Sequence, residues 1–373
     1  MNLHEKTLEL NITHELLNLA DSFYWHLTNI TLWRYWEPSY DHFRQNDYKK
    51  STAYGLHSSI EGIEHNTGEA GGGYDVKIKS GANESVIFIQ YKKGVFSKKK
   101  PKKNKDGNES IFNVANTKYF KFKLNSTKSN QHFTLRKLSD NITKQNGNAV
   151  VYAFPLIKDI TDLDNNAGKI IRLTKFISIK DIDEEATQQE RPFEKHKKHC
   201  YRICADNMDR SELNYYYYYY YGFDSSTGII CDTIILGIQK ALQNFIKNVN
   251  KSDEDFKTKF IEILEKTIIS YKNYILDYFE VPTNFDISAY YNSGYYPYTT
   301  DQNEYPDSLT KKRDIGIVHE VIEYLKSLSE LLKDFEPNSI SIPPYKPKHF
   351  TLNVELNIDF KSRPIHNVSM IKI

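Results

Sequence analysis

Tyr74-Asp75-Val76-Lys77-Ile78-Lys79-Ser80-Gly81-Ala82-Asn83-Glu84-Ser85-Val86-Ile87-Phe88-Ile89-Gln90-Tyr91-Lys92 decides how this chain is read. Its two apolar stretches, Tyr74–Lys79 and Val86–Tyr91, are predicted as strands, and Ser80-Gly81-Ala82-Asn83 between them has turn chemistry. A glycine-rich breaker, Gly68 to Gly73, precedes the first strand and reads as a tight turn that delivers Asp75. In such a hairpin an aspartate at the start of one strand lies beside the end of the next. Gln90 and Lys92 stand two residues apart and project from one face of that strand. A carboxylate, a carboxamide and an ammonium are therefore expected to converge.

Working outward, residues 3–30 carry apolar positions at helical spacing, including Leu8, Ile12, Leu16, Leu19 and Ala20, and predict one or two helices. The aromatic stretch Trp33, Tyr35, Trp36, Tyr40 and Phe43 reads as packing rather than base stacking. Residues 51–64 are expected to form a helix with Tyr54, Leu56, Ile60 and Ile63 inward. Beyond Lys92, a strand is predicted at Tyr119–Leu124, a helix at about 131–145 and an apolar strand at Ala149–Leu156. The expected fold class is α/β, an α-β-β-β-α-β core around one mixed sheet, followed by a mainly helical region. Long helical periodicity at 229–249, 252–280 and 309–335 supports the second part, with one or two strands expected in 349–373. Seven consecutive tyrosines, 215–221, are low complexity. The expected division is 1–47, a helical and aromatic segment; 48–185, the α/β domain; and 186–373, a helical region for recognition or assembly.

A chain of 373 residues has room for about two domains at ~100–200 residues each. The formal net charge is only +2, so the local distribution of charge is more telling than the sum. From Lys92 to Lys105 there are eight lysines and no acidic residue. Such a run is either a solvated loop or a phosphate-neutralising segment; Lys93, Lys98, Lys99, Lys100, Lys102 and Lys103 are its candidate nucleic-acid contacts. Three cysteines, Cys200, Cys204 and Cys231, do not make a disulfide framework and fit a reducing cytoplasm. The first residues, with charges among their apolar positions, do not read as a signal peptide. No run approaches the ~18 apolar residues of a membrane span, so no membrane association is expected.

Phosphodiester hydrolysis requires a cation site, an activated water and stabilisation of charge on the phosphate. Asp75, Gln90 and Lys92 supply the side-chain types for that chemistry, and Glu61, Glu64 or Glu69 is available upstream, with Glu61 preferred. At these residues the sequence resembles the PD-(D/E)XK nuclease superfamily. Its pattern of an acidic residue on a first helix, an aspartate on one strand and E-x-K or Q-x-K on the next is matched by Glu61, Asp75 and Gln90-Tyr91-Lys92. Gln131-His132 opening a helix and Val150-Val151-Tyr152-Ala153-Phe154-Pro155 resemble the helix and strand that close the core in glutamine variants. The resemblance covers roughly residues 50–185. It implies an endonuclease with Mg²⁺ (or Mn²⁺) held by Asp75, Gln90 and Glu61, and Lys92 on the phosphate or water. DNA is the implied substrate, with RNA left open, in a prokaryotic antiviral-defence or restriction setting. A second copy or a defence-system protein is a further partner it allows. The departure from the commonest pattern, Gln90 for glutamate, also fits a disabled nuclease fold that only binds nucleic acid or a partner.

His57 and His65 read as surface or packing histidines. His196, His199, Cys200 and Cys204 have a loose zinc-like spacing, but the intervening lysines favour a basic helix end, with Cys231 a buried apolar residue. No phosphate-binding P-loop and no nucleophile elbow is present.

Overall fold

A computed structural model describes residues 3–32, 56–60, 75–80, 85–98, 118–125, 130–142, 150–188, 193–205 except 196, 225–248, 256–285 and 309–333. Among them lie seven α-helices and eight strands in two sheets. In chain order these are α1 (Glu5–Leu32), β1 (Leu56–Ile60), β2 (Val76–Ser80), β3 (Ser85–Tyr91), β4 (Val95–Ser97), β5 (Tyr119–Asn125), α2 (Gln131–Ile142), β6 (Val150–Pro155), α3 (Ile160–Asn165), β7 (Thr174–Ser178), α4 (Ile179–Gln188), β8 (His199–Cys204), α5 (Ser225–Asn248), α6 (Phe256–Tyr278) and α7 (Leu309–Lys333). The protein is a mixed α/β molecule. None of the described helices is long and apolar enough to cross a membrane.

The first sheet has the order β1-β2-β3-β6-β7. Both β1-β2 and β2-β3 are antiparallel, β3-β6 is parallel and β6-β7 is antiparallel. Its central strands β3 and β6 are buried and largely apolar on both faces, as expected where a sheet is covered on both sides. Ile87, Ile89, Tyr91, Val151, Ala153 and Phe176 join a core with α1, α5, α6 and α7. Phe88, Val150, Tyr152, Phe154 and Ile177 face the opposite way, into a second core with β5, β8, α2 and α4. The period-2 alternation of β3 and β6 thus feeds two cores at once.

Helix α1 is held by the spacing of its apolar positions. Leu8, Ile12, Leu16, Leu19, Phe23 and Leu27 recur every three or four residues and are buried. It crosses α5 at very short range: a Cβ on Gly237 would come 2.0 Å from the Ala20 carbonyl oxygen. Backbone cannot yield as a flexible side chain would, so Gly237→Ala is expected to cost about 2–3 kcal/mol. Chemical denaturation of the variant measures this; an unchanged midpoint would show that the two helices are not packed this closely.

Three expectations are corrected. The helix expected at 51–64 is not formed: Leu56–Ile60 is strand β1, paired in register from Leu56 with Ser80 to Ile60 with Val76. Leu56, Ser58 and Ile60 alternate with His57 and Ser59, and five residues satisfy period 2 as readily as a helical period. Tyr119–Asn125 is a strand as expected, but it belongs to a second sheet, β4-β5-β8, so the described residues form two sheets rather than the one expected. His199–Cys204, expected at a helix end, is strand β8, with Tyr201 and Ile203 buried in the second core. The remaining expectations for 3–30, the β2-β3 hairpin, 131–145, 149–156 and the three long helices agree with α1, β2, β3, α2, β6, α5, α6 and α7. Residues 33–55, 206–224 and 349–373 lie outside the described residues.

Candidate active site

The β2-β3 pairing places Val76 opposite Ile89, so Asp75 stands at the end of the ladder beside Gln90. Its backbone N–H donates to the Ile89 carbonyl at 3.0 Å, extending the strand by one residue. The Asp75 carboxylate accepts from the Tyr91 backbone N–H at 2.9 Å and from Gln90 Nε2 at 2.5 Å, both at Oδ2. Lys92 continues the parallel pairing through its N–H to the Ala153 carbonyl, 3.1 Å. Asp75, Gln90 and Lys92 are all buried, and the hairpin does bring them together.

Two further groups complete the cluster. Gln131, the first residue of α2, donates through Nε2 to Gln90 Oε1 at 2.6 Å and accepts from Lys92 Nζ at 2.5 Å. A continuous chain therefore runs Asp75, Gln90, Gln131, Lys92. Gln131 is followed on α2 by His132, whose side chain is fully buried. Burial lowers the His132 pKa despite the opposing Asp183 carboxylate. The neutral ring donates from Nε2 to Asp183 at 2.8 Å and accepts the Tyr152 hydroxyl at Nδ1, 3.1 Å. Arg136 clamps the same Asp183 through Nε and Nη2 at 2.6 and 2.5 Å.

The second group is Glu9 on α1. The buried hydrogen bond between Thr13 and the Tyr91 hydroxyl, 2.8 Å, sets α1 against β3, and Glu9 lies one turn earlier, 2% exposed. Lys6 Nζ stands 2.7 Å from Glu9 Oε2 and 3.7 Å from Asp75 Oδ1, one cation between two carboxylates. Burial works against the Lys6 charge, but the hydrogen bond to Glu9 and the charges of Asp75, Glu9 and Glu5 overcome it and raise its pKa. Burial, reinforced by the Glu9 charge, pushes the Asp75 carboxyl up to about 6. Burial also lowers the Lys92 pKa, against the attraction of Glu5 and Asp75 and with the repulsion of Lys123.

Of the other expected site residues, Glu61, Glu64, Glu69, Lys99, Lys100, Lys102 and Lys103 lie outside the described residues, as does His65. Lys98 is exposed at the end of β4. Lys93 is half-buried; its ammonium donates to the Leu3 carbonyl and its backbone N–H to Glu5 at 2.9 Å, tying the strand exit to the start of α1. His199 accepts the Glu194 backbone N–H at Nε2, 2.9 Å. Cys231 is buried, as expected of an apolar cysteine.

The donor set fits a hard divalent cation. Among the described residues no group of three His, Cys, Asp or Glu side chains is arranged to hold a metal, but Mg²⁺ needs only one or two carboxylates and keeps several waters. Glu9 and Asp75 supply two, a carboxamide stands beside them, and an ammonium already occupies the space between them. Glu9 was missed in the sequence because a glutamate on an amphipathic helix reads as surface; its position four residues before Thr13 on the buried face is the only signal. Compared with family models, curated proteins and solved structures, the chain matches none.

Proposed function

We propose that this protein is a metal-dependent nuclease that hydrolyses phosphodiester bonds in DNA, with its site at the open end of the β2-β3 hairpin. The observation that carries the reading is the convergence of Glu9, Asp75, Gln90, Gln131 and Lys92 on one point from α1, the hairpin and α2. Two carboxylates, a buried lysine and two carboxamides in contact are the parts that a phosphodiesterase needs. With β4 and β5 of the second sheet set between β3 and α2, the order α1, β1, β2, β3, α2, β6, in which β1-β2-β3 are antiparallel and β6 is parallel to β3, supports the restriction-endonuclease-like core that the sequence resembles. In that core the helical carboxylate is Glu9, and the third strand carries Gln90 and Lys92.

Asp75, Glu9 and the carboxamide oxygen of Gln90 would hold Mg²⁺ or Mn²⁺ once Lys6, on an exposed and flexible stem, withdraws and the Gln90 amide turns so that Oε1, which accepts from Gln131, faces Asp75 in place of Nε2. The chemistry supplied by the ion is stabilisation of negative charge on the phosphate and acidification of water. Lys92 holds its proton weakly because it is buried, so its amine can take a proton from the attacking water or return one to the leaving oxygen. Gln131 holds the Lys92 amine in line with Gln90. The Thr13–Tyr91 bond keeps Glu9 at its distance from Asp75.

Supercoiled plasmid, linear duplex, single-stranded DNA and RNA, each incubated with Mg²⁺, Mn²⁺ or EDTA, test this. Cutting of duplex DNA that requires the cation is the expected result. Intact substrates under every condition would set the nuclease reading aside in favour of a binding role, which the closed Asp75-Gln90-Gln131-Lys92 chain also fits.

A further inference from the structure

We propose that the outer face of the second sheet, carrying Lys121, Lys123 and Arg202, is where the sugar–phosphate backbone of duplex DNA lies as it approaches the Asp75–Lys92 site. The inference rests on the nuclease reading for the role of the Asp75–Lys92 site, but binding of DNA along this face does not require cleavage. Strands β4, β5 and β8 contain no acidic residue. In β5, Phe120, Phe122 and Leu124 point into the second core, and the alternation sends Lys121 and Lys123 outward. Tyr201 and Ile203 point inward from β8, which leaves Arg202 on the outer face.

The register sharpens this. Lys121 has Arg202 directly opposite it on one side and the exposed Val95 on the other. Like charges placed opposite each other across two strands destabilise a sheet. A polyanion laid over them reverses the sign of that interaction. Lys123 is exposed and lies a further two residues, about 6.8 Å, along the strand. That end of the sheet lies toward the site: β4 runs antiparallel to β5 with Val95 opposite Lys121, so Lys123 lies on the side from which the chain arrives from Lys92. The connection is also covalent and short. Only Lys93 and Gly94 separate Lys92 from β4, and Gly94 passes so close to Phe122 that a Cβ there would fall 2.7 Å from its ring. The basic face thus begins at the catalytic lysine and runs along β5, and Lys98 leaves β4 at its far end into the lysine-rich connection.

The test is binding of a fluorescein-labelled DNA duplex, read by anisotropy in EDTA across a range of salt, beside plasmid cleavage in Mg²⁺. Lys121→Gln/Lys123→Gln is compared with wild type and with Lys272→Gln, an exposed lysine on α6. Loss of affinity of about tenfold, with the log–log salt slope shallower by about 2, is expected for two lost phosphate contacts. Lys272→Gln should bind as wild type, and the double variant should unfold no earlier than wild type because a like-charge pair has been relieved. Unchanged affinity and slope in the double variant, or no duplex binding by wild type, would overturn the inference. Normal plasmid cleavage with unchanged binding would discard the face and keep the nuclease. Weakened binding in the double variant, beside a wild type that binds but never cuts, would keep the face and discard the nuclease.

Discussion

Asp75→Asn is expected to abolish cleavage while leaving the protein as stable as wild type or more so. The loss follows from chemistry: the variant removes one of the two carboxylates that would hold the cation, and turnover should fall at least about a thousandfold. The gain follows from linkage. The folded-state Asp75 carboxyl titrates at about 6, above its ordinary value of 3.8, chiefly because it is buried and secondarily because Glu9 is near. A carboxyl whose pKa is raised by folding favours the folded state most when protonated, and that contribution is lost as pH rises from about 4 through 6. At neutral pH the ionised Asp75 is therefore a cost, and asparagine removes it. An increase of about 1–3 kcal/mol above pH 6, shrinking as pH falls from about 6 to 4 and absent below that, should appear in denaturation curves of the two proteins at several pH values. Opposite signs for stability and activity mark a residue retained for function. A destabilised Asp75→Asn protein would make the carboxylate a structural cap instead. The same protonation governs wild-type cutting, which should rise with pH through about 6 as Asp75 becomes free to bind a cation.

Lys92→Met should be the other severe variant, with turnover falling about 10²–10³-fold and duplex binding in EDTA nearly unchanged. Methionine keeps the length of the buried side chain and removes only the amine. Lys92→Arg then separates two uses of that amine. A guanidinium keeps the positive charge but cannot give up its proton. Because burial lowers the Lys92 pKa, the expected result is that arginine does not restore cutting. Substantial activity in Lys92→Arg would instead assign the lysine to holding the phosphate by charge alone. Single-turnover rates of the three proteins against pH measure this directly.

Much of the site was legible because it is local. The β2-β3 hairpin and its exit are written in eighteen residues from Asp75 to Lys92, with alternation, turn chemistry and the Gln90-x-Lys92 spacing all in one window. The long helices were legible from their periodicity. What was hidden depends on distance in the chain. Glu9 meets Asp75 only after α1 folds back across β3, and on its own helix it is one charge among several. Gln131 was visible as a helix start, but its contact with Lys92 joins residues 39 positions apart, with β4 and β5 between them. The second sheet was hidden because β4 has three residues and β8 mixes polar and apolar ones, so neither announces a strand. Leu56–Ile60 was misread because so short a stretch satisfies both periods, and its pairing with β2 settles the matter.

The most direct measurement is calorimetric titration of Mn²⁺ into the wild-type protein and into Asp75→Asn at pH 7.5, since everything proposed for the site depends on Glu9 and Asp75 holding a cation in place of the Lys6 ammonium. The expected result is one bound ion in wild type and affinity at least about a hundredfold weaker in the variant. Equal affinity in both proteins, or no binding by wild type, would contradict it.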